Sequence, residues 1–270
     1  MELTDKKPFS NSQIDRLGDA IRDGIQFDED FYYQLEQWNE ALLAKVREIV
    51  IRVLNERTYL GIRPVGDLGE DPKWEYASRV KSIDTLREKL QRLNSRLSTI
   101  QDLAGARVNI DGSLLDQQHL VEDLKSAFES QQAKVKVKNY LVESQFGYRA
   151  IHLHINSPAG RVELQVRTSF QEQWANVNEA LGDVYGRDLR YREIDLDEDE
   201  HLHRVVQSQK TMSMAIRELE ELENEILASK SEDSAVREQW LEIRAKLNRE
   251  LGSWRAETIR SLQQTQREER

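Results

Sequence analysis

The stretch that decides the fold runs from Phe146 to Thr168 and reads FGYRAIHLHINSPAGRVELQVRT. Apolar and polar residues alternate on either side of its centre, and a period of two is typical of β-strands. The centre reads NSPAG, and Asn, Ser, Pro and Gly are residues that favour tight turns. The stretch therefore predicts a β-hairpin.

One face of this hairpin is predicted to be polar, because successive side chains of a strand point to opposite faces. If the strands pair symmetrically about the turn, His154 lies opposite Glu163 and His152 lies opposite Gln165. The polar face is expected to carry Tyr148, Ala150, His152, His154, Glu163, Gln165 and Arg167. Two interpretations are open. The face is either the solvated outer side of an antiparallel sheet, or a site of proton transfer or phosphate contact, which two histidines beside a carboxylate would suit.

The sequence around the hairpin predicts a mixture of helices and strands. Helical spacing of apolar residues indicates helices over 10–57 and 114–131 and from about Ser82 to Ile100. Alternation indicates further strands at 106–110 and 135–138, and the run 61–69 has the glycine and proline of a loop. We therefore predict an α+β fold in which a mixed β-sheet is flanked by helices.

The last part of the chain is predicted to be helical. The run 193–200, EIDLDEDE, carries six acidic residues and is interpreted as an exposed linker or a solvated helix start. Beyond it, apolar residues recur at spacings of three and four, at Ile216, Leu219, Ile226, Trp240, Ile243, Leu247, Leu251 and Trp254. This pattern predicts a long helical hairpin, which either packs on the rest of the chain or forms an oligomer interface. The predicted division is an N-terminal helical segment (1–70), a core (71–192) and a C-terminal helical extension (193–270).

Composition limits the possible functions. The 270 residues carry a net charge of -10, which argues against broad nucleic-acid binding but not against a small basic pocket. The absence of cysteine excludes disulfides and thiolate metal sites. Because the sequence shows neither a signal peptide nor an apolar run of about 18 residues, we expect a soluble, cytoplasmic protein without a membrane partner.

A local excess of basic residues runs opposite to the net charge. It comprises Arg79, Lys81, Arg87, Lys89, Arg92, Arg96 and Arg107. Such residues either form a solvated helix face or, with Lys81 and Lys89 on one side of a helix at four-residue steps from Thr85, converge on a polyphosphate. Two carboxylates, Asp102 and Glu163, complete the candidate site, since two carboxylates together with phosphate oxygens are a common way to hold Mg²⁺.

Four motifs in order resemble the synthetase domain of the RelA/SpoT alarmone family. They are Arg79-Val80-Lys81 followed by Thr85 and Lys89, Asp102-Leu103-Ala104-Gly105-Ala106-Arg107-Val108, Gly147-Tyr148-Arg149-Ala150-Ile151-His152, and Glu163-Leu164-Gln165-Val166-Arg167-Thr168 followed by Trp174-Ala175. The resemblance covers about residues 74–190. It implies a nucleotidyltransferase-like domain of a small synthetase, and a homo-oligomer formed through terminal helices.

The resemblance also implies an activity, the transfer of the ATP β,γ-pyrophosphate to the 3′-hydroxyl of a guanosine nucleotide with release of AMP, which makes (p)ppGpp-type alarmones. On the donor side, it implies that Arg79 lies against adenine. Lys81, Lys89 and His152 are implied to bind the ATP phosphates. Asp102 is implied to bind Mg²⁺, with Glu163 sharing the metal or activating the hydroxyl.

On the acceptor side, the resemblance implies stacking of the base on Tyr148, with Lys138 and Gln165 as further acceptor-binding residues. This side also departs from the family pattern. The loop 143–146 reads ESQF, without the family's lysine, and Asn178-Glu179 replaces a Glu-His pair. The alternatives are therefore the same chemistry on an adenosine nucleotide or the 3′ end of tRNA, or a nucleotide-binding regulator without turnover.

Overall fold

The computed structural model describes residues 1–56, 74–142, 146–186, 200–228 and 234–268. The predicted loop at 61–69, most of the altered loop 143–146, the acidic run 193–199 and both predicted domain boundaries lie outside the described residues.

Five strands form one sheet in the order β1-β2-β5-β4-β3. They are β1 (Trp74–Val80), β2 (Ala104–Ile110), β3 (Lys134–Asn139), β4 (Ile151–Ser157) and β5 (Gly160–Thr168). The helices within the described residues are α1 (Asn11–Asp23), α2 (Glu29–Glu56), α3 (Ile83–Leu93), α4 (Leu114–Glu129), α5 (Ser169–Tyr185), α6 (Glu200–Ala228) and α7 (Ser234–Glu268). The predicted α+β fold, a mixed sheet flanked by helices with helical segments at both ends, is confirmed.

The hairpin of β4 and β5 has the predicted register. The strands pair antiparallel, with His154 opposite Glu163 and His152 opposite Gln165. Alternation places Ile151, Leu153, Ile155, Val162, Leu164 and Val166 in the core, where each is at most 2% exposed. Trp38 of α2 donates from its indole nitrogen to the carbonyl oxygen of Ala159 at 2.7 Å, so the turn is also held by the long helix.

One prediction about the segment between β1 and β2 is wrong. The helix predicted from Ser82 to Ile100 ends at Leu93, because Asn94 adopts the left-handed conformation (φ 45°) and a short 3₁₀ turn, Leu97–Thr99, follows. A left-handed residue ends the intrahelical hydrogen-bond ladder. Of the two interpretations of the polar hairpin face, the solvated outer side does not hold, since His152 and Arg167 are buried and Glu163 is only 15% exposed at its side chain.

The described chain divides into two compact units. The first contains Met1–Val108, Gln118–Lys138 and Ile151–Val166, and the second contains Asn109–Gln117, Asn139–Ala150 and Arg167–Arg270. In the first, α1 packs against α3 through a cluster of buried apolar side chains, and α2 packs against β1. In the second, α5 packs against both α6 and α7.

The start of α1 is fixed by a reciprocal pair of hydrogen bonds. The backbone N–H of Gln13 donates to the Ser10 hydroxyl at 3.2 Å, and the backbone N–H of Ser10 donates to the Gln13 side chain at 3.0 Å. Each bond satisfies a backbone donor that a helix start leaves without an intrahelical partner.

Ser10→Ala is therefore expected to lower the free energy of unfolding by about 1 kcal/mol, as for other N-caps. Urea denaturation followed by far-UV circular dichroism measures the change. Ser12→Ala, an exposed position inside the same helix, is the matched control and should be neutral or slightly stabilising. Equal losses for both variants would contradict the capping role.

Among the described residues, no helix combines the length and apolarity needed to cross a membrane.

Candidate active site

Two lysines and an aspartate form the first cluster of the candidate site, in the first unit. Lys81 follows β1, Lys89 lies in α3, and Asp102 precedes β2. The Lys81 ammonium lies 3.0 Å from one Asp102 oxygen, and the Lys89 ammonium lies 2.5 Å from the other. The backbone N–H of Lys81 also donates to the Leu103 carbonyl at 2.9 Å, which fixes the end of β1 beside the start of β2.

This cluster is only partly covered. The side chains of Lys81, Lys89 and Asp102 are 18%, 23% and 19% exposed, so each remains within reach of a ligand. Two ammonium groups and one carboxylate leave a local charge of +1, which favours an anion. Arg79, two residues before Lys81, is exposed on β1. Three cations thus lie within one short segment of the first unit.

Glu163 is the centre of the second cluster, on the polar side of the β4–β5 hairpin. Its carboxylate oxygens lie 3.6 Å from Nδ1 of His152 and 3.3 Å from Nε2 of His154, and Gln165 donates to it from Nε2 at 3.0 Å. Burial alone would raise the pKa of the Glu163 carboxyl. The nearby imidazoles of His152 and His154 and the Gln165 amide favour the charged form more strongly, so the pKa lies well below its usual range.

The two carboxylates differ in their fit to Mg²⁺. Mg²⁺ takes one or two carboxylates and completes its shell with water and phosphate oxygens. Asp102 fits this pattern, because it is partly exposed and lies between two cations able to bind the same phosphates. Glu163 shares its surroundings with imidazole nitrogens, which suit transition metals better.

Tyr148 belongs to the second unit, where other side chains hold its ring. Arg167 donates to the Tyr148 hydroxyl at 3.1 Å, and its guanidinium carbon lies 5.5 Å from the ring centroid. The rings of Tyr140 and Trp174 lie 5.7 and 6.4 Å from it. Arg167, predicted to lie on the polar face of the hairpin, is buried against Tyr148 and limits the movement of this ring.

Gly147, just before Tyr148, occupies a position that favours glycine over residues with a side chain. Its φ is +85°, and a Cβ atom there would lie 3.1 Å from atoms of Trp174 and Ser213. The Ser213 hydroxyl of α6 donates to the Gly147 carbonyl at 2.5 Å. The backbone before Tyr148 is thus held in a conformation that other residues rarely adopt.

The carboxylate of Glu220 in α6 holds the residue after Tyr148, within the same unit. It accepts hydrogen bonds from Arg149 at 3.0 Å, from the Thr168 hydroxyl at 2.6 Å and from the Gln171 amide at 2.8 Å. The side chains of Arg149 and Glu220 are 6% and 1% exposed. Burial raises the pKa of the Glu220 carboxyl despite the opposing effects of Thr168, Arg149 and Gln171.

Residues 78–185 match the family model described as "Region found in RelA / SpoT proteins". The chain belongs to the RelA/SpoT family. Uncharacterized proteins of Mycobacterium bovis and Mycobacterium tuberculosis are 36% identical to it over 196 residues, which are 72% of this chain and 66% of theirs. The chain thus spans slightly less than two thirds of the length of these relatives.

Solved structures show that the RelA/SpoT fold extends over most of the chain. Small alarmone synthetase 1 from Bacillus subtilis, bound to its product pppGpp, is 24% identical, with a TM-score of 0.55 over 76% of this chain and 100% of its own. Small alarmone synthetase 2 from the same organism is 22% identical, with a TM-score of 0.54 over 73% of this chain and 97% of its own. A GTP pyrophosphokinase family protein from Streptococcus pneumoniae is 21% identical, with a TM-score of 0.54 over 80% and 98%.

The structure brings together some of the site residues predicted for this RelA/SpoT chain. Lys81 and Lys89 both contact Asp102, and His152 and Gln165 both contact Glu163. Lys138 lies on β3 at one edge of the sheet, partly buried. The roles predicted for these residues and for Arg79 and Tyr148 remain predictions.

Sequence reasoning missed Glu220 and its partner Arg149. The signal that could have found Glu220 is the spacing of α6, where the buried positions are Leu202, Gln209, Ser213, Ile216, Glu220 and Glu223. These positions recur at steps of three, four and seven, as expected for one face of a helix. An acidic side chain on a buried helix face is expected to have a hydrogen-bonding or cationic partner in another part of the chain. The pattern used to predict this helix followed the apolar residues alone, of which Ile216 is buried and Leu219 and Ile226 are partly buried.

Proposed function

We propose that this RelA/SpoT-family chain transfers the β,γ-pyrophosphate of ATP to the 3′-hydroxyl of a guanosine nucleotide. The observation that carries the proposal is the convergence of Lys81 and Lys89 on Asp102, at 3.0 and 2.5 Å. Phosphoryl transfer depends on the positioning and neutralisation of phosphate charge more than on a strong base. Two cations fixed around one partly exposed carboxylate meet this requirement.

The donor side is assigned to the first cluster. Lys81 and Lys89 bind the ATP phosphates, Arg79 lies against the adenine, and Asp102 holds Mg²⁺. A bound Mg²⁺ would neutralise phosphate charge during the transfer. When ATP binds, its phosphates replace Asp102 as partners of one or both lysines.

The acceptor side is assigned to Glu163, with Gln165 and Lys138 of the same unit as further acceptor-binding residues. Stacking of the acceptor base on Tyr148 is a separate prediction from the family resemblance. The Glu163 carboxylate is ionised at neutral pH and can accept the hydrogen bond of the 3′-hydroxyl, although the imidazoles and the amide that lower its pKa also make it a weaker base. The 3′-oxygen then attacks the β-phosphorus of ATP, the bond between the β-phosphorus and the α,β-bridging oxygen breaks, and AMP leaves. The hydroxyl proton passes to the carboxylate.

Purified protein incubated with γ-labelled ATP and Mg²⁺ tests the proposal. Each reaction contains one acceptor, namely GMP, GDP, GTP, AMP or uncharged tRNA. Label is expected to move to a guanosine nucleotide, with AMP formed in equal amount. Transfer only to AMP or tRNA would contradict the guanosine acceptor and keep the chemistry, whereas no transfer to any acceptor would contradict the chemistry.

Asp102→Asn separates the proposed site from other sources of activity. It is expected to abolish transfer, while Asp84→Asn, an exposed aspartate on α3, is the matched control and should retain it. Full activity in Asp102→Asn would contradict the proposed role of the first cluster.

The homo-oligomer predicted through the terminal helices is a separate proposal. Sedimentation of the same sample tests it.

A further inference from the structure

We propose that His152, His154 and Glu163 form a binding site for a divalent transition-metal ion such as Zn²⁺, separate from the Mg²⁺ proposed at Asp102. Among the described parts of the chain, these three residues form the group of histidine, aspartate and glutamate side chains whose ligand atoms all lie within 4.8 Å of one another. The inference does not depend on the proposed function, since it concerns metal binding in the absence of nucleotides.

The two distances between Glu163 and the imidazoles suit a shared ion, bound by both carboxylate oxygens, better than hydrogen bonds. The Glu163 oxygens lie 3.6 Å from Nδ1 of His152 and 3.3 Å from Nε2 of His154. Hydrogen bonds between such atoms have lengths of about 2.7–3.2 Å. Two ligands bound to tetrahedral Zn²⁺ at about 2.0–2.1 Å are separated by about 3.3–3.4 Å. The observed separations are therefore close to those between ligands of one metal ion.

The backbone holds these ligands in place before a metal binds. His152 and His154 are two residues apart on β4, so both side chains lie on the same side of the sheet, and Glu163 is paired directly opposite His154 on β5. Gln165 donates to one Glu163 oxygen at 3.0 Å and limits the rotation of the carboxylate. A fixed carboxylate and two strand-borne imidazoles need little rearrangement to bind an ion.

Charge and exposure also favour a cation here. The side chains of His152, Glu163 and His154 are 9%, 15% and 21% exposed, so the group is largely covered and His154 is its most accessible member. A buried carboxylate is costly unless a cation or a metal compensates its charge. Two imidazoles with one carboxylate are a common ligand set for transition metals, with positions left for water or substrate.

Titration of chelator-treated protein with Co²⁺, followed by its visible d–d absorption, tests the site directly. One Co²⁺ per chain is expected to bind, and Zn²⁺ is expected to displace it, while a large excess of Mg²⁺ is not. Because altering residues around a metal site already costs about 10–100-fold in affinity, losing a ligand in His154→Gln or Glu163→Gln should cost more than about 100-fold.

His119→Gln, a histidine on α4 outside the group, is the matched control and should bind as the wild type does. Circular dichroism of each variant establishes that it is folded, and His154→Gln is the milder change because its side chain is the most exposed of the three. Equal Co²⁺ affinity in wild type and His154→Gln would overturn the site, as would equal weakening by His119→Gln. Pyrophosphate transfer by a protein that does not bind Co²⁺ would overturn this inference and leave the proposed function intact.

Discussion

Replacing Glu163 by glutamine is expected to lower the rate of pyrophosphate transfer by about a hundred- to ten-thousand-fold, the usual contribution of a positioned acid–base group. Glutamine has nearly the same shape but carries no charge and cannot take the proton of the 3′-hydroxyl. The lysines that we assign to ATP contact Asp102 instead. ATP affinity is therefore expected to stay within a few-fold of the wild type.

Single-turnover transfer of labelled pyrophosphate and equilibrium binding of a non-hydrolysable ATP analogue measure the two quantities. Chelator-treated protein supplied only with Mg²⁺ keeps any transition metal out of the comparison. Glu75→Gln, an exposed strand glutamate on β1, is the matched control and should be fully active. If Glu163→Gln transfers at the wild-type rate, or loses ATP binding in proportion to rate, the role assigned to Glu163 is wrong.

The hairpin was predictable from sequence because its pattern is local. Alternation fixes which residues of β4 and β5 share a face, and a short turn fixes the register, so His154 and Glu163 could be placed opposite each other. The contact of Lys81 and Lys89 with Asp102 was harder to predict from sequence. Spacing places the lysines on one side of a segment, but the proximity of Asp102 depends on how β1 and β2 adjoin in the sheet.

Burial of the polar hairpin face could not be predicted from alternation. A period of two separates two faces but does not say whether water or protein covers the polar one. Arg167 illustrates the limit, because it continues the polar alternation of β5 yet lies 3% exposed beneath Tyr148. The end of α3 before Asn94 could not be predicted either. The left-handed conformation of Asn94 is a local backbone feature, and the spacing of apolar residues carries no information about it.

The acceptor loop of the family motif depends on a distant residue in α6. Arg149 follows Tyr148, and its guanidinium is buried against Glu220, 71 residues later in the chain. The Ser213 hydroxyl holds the carbonyl of Gly147 from the same helix. We infer that α6 fixes the backbone conformation around Tyr148. Substitutions in α6 should therefore weaken binding of the acceptor nucleotide more than binding of ATP.

Glu220→Ala is expected to lower the free energy of unfolding by about 3–5 kcal/mol, because removal of one partner leaves the charge of Arg149 buried without its anion. Burial raises the pKa of Glu220 despite the ion pair with Arg149, and a buried ion pair is often no more stable than well-packed apolar residues of similar volume. Replacing both partners by apolar residues should therefore cost much less. The double variant Glu220→Met, Arg149→Met is expected to be clearly more stable than Glu220→Met alone.

The same pKa shift has a definite sign in the pH dependence of stability. Because the folded state binds the Glu220 proton more tightly than the unfolded chain does, its contribution is greatest below the ordinary pKa of 4.5 and is lost as pH rises through the raised value. Chemical denaturation at a series of pH values from below 4.5 upward should show this fall in the free energy of unfolding for the wild type, and Glu220→Gln should abolish it. Glu218→Gln, an exposed glutamate of the same helix, is the matched control and should keep the wild-type pH dependence.

The methionine variants test the coupling of the buried pair. Equal destabilisation by the single and double methionine variants would mean that Arg149 and Glu220 are not coupled. The conformation of the acceptor loop would then depend on Gly147 and Ser213 rather than on this buried pair.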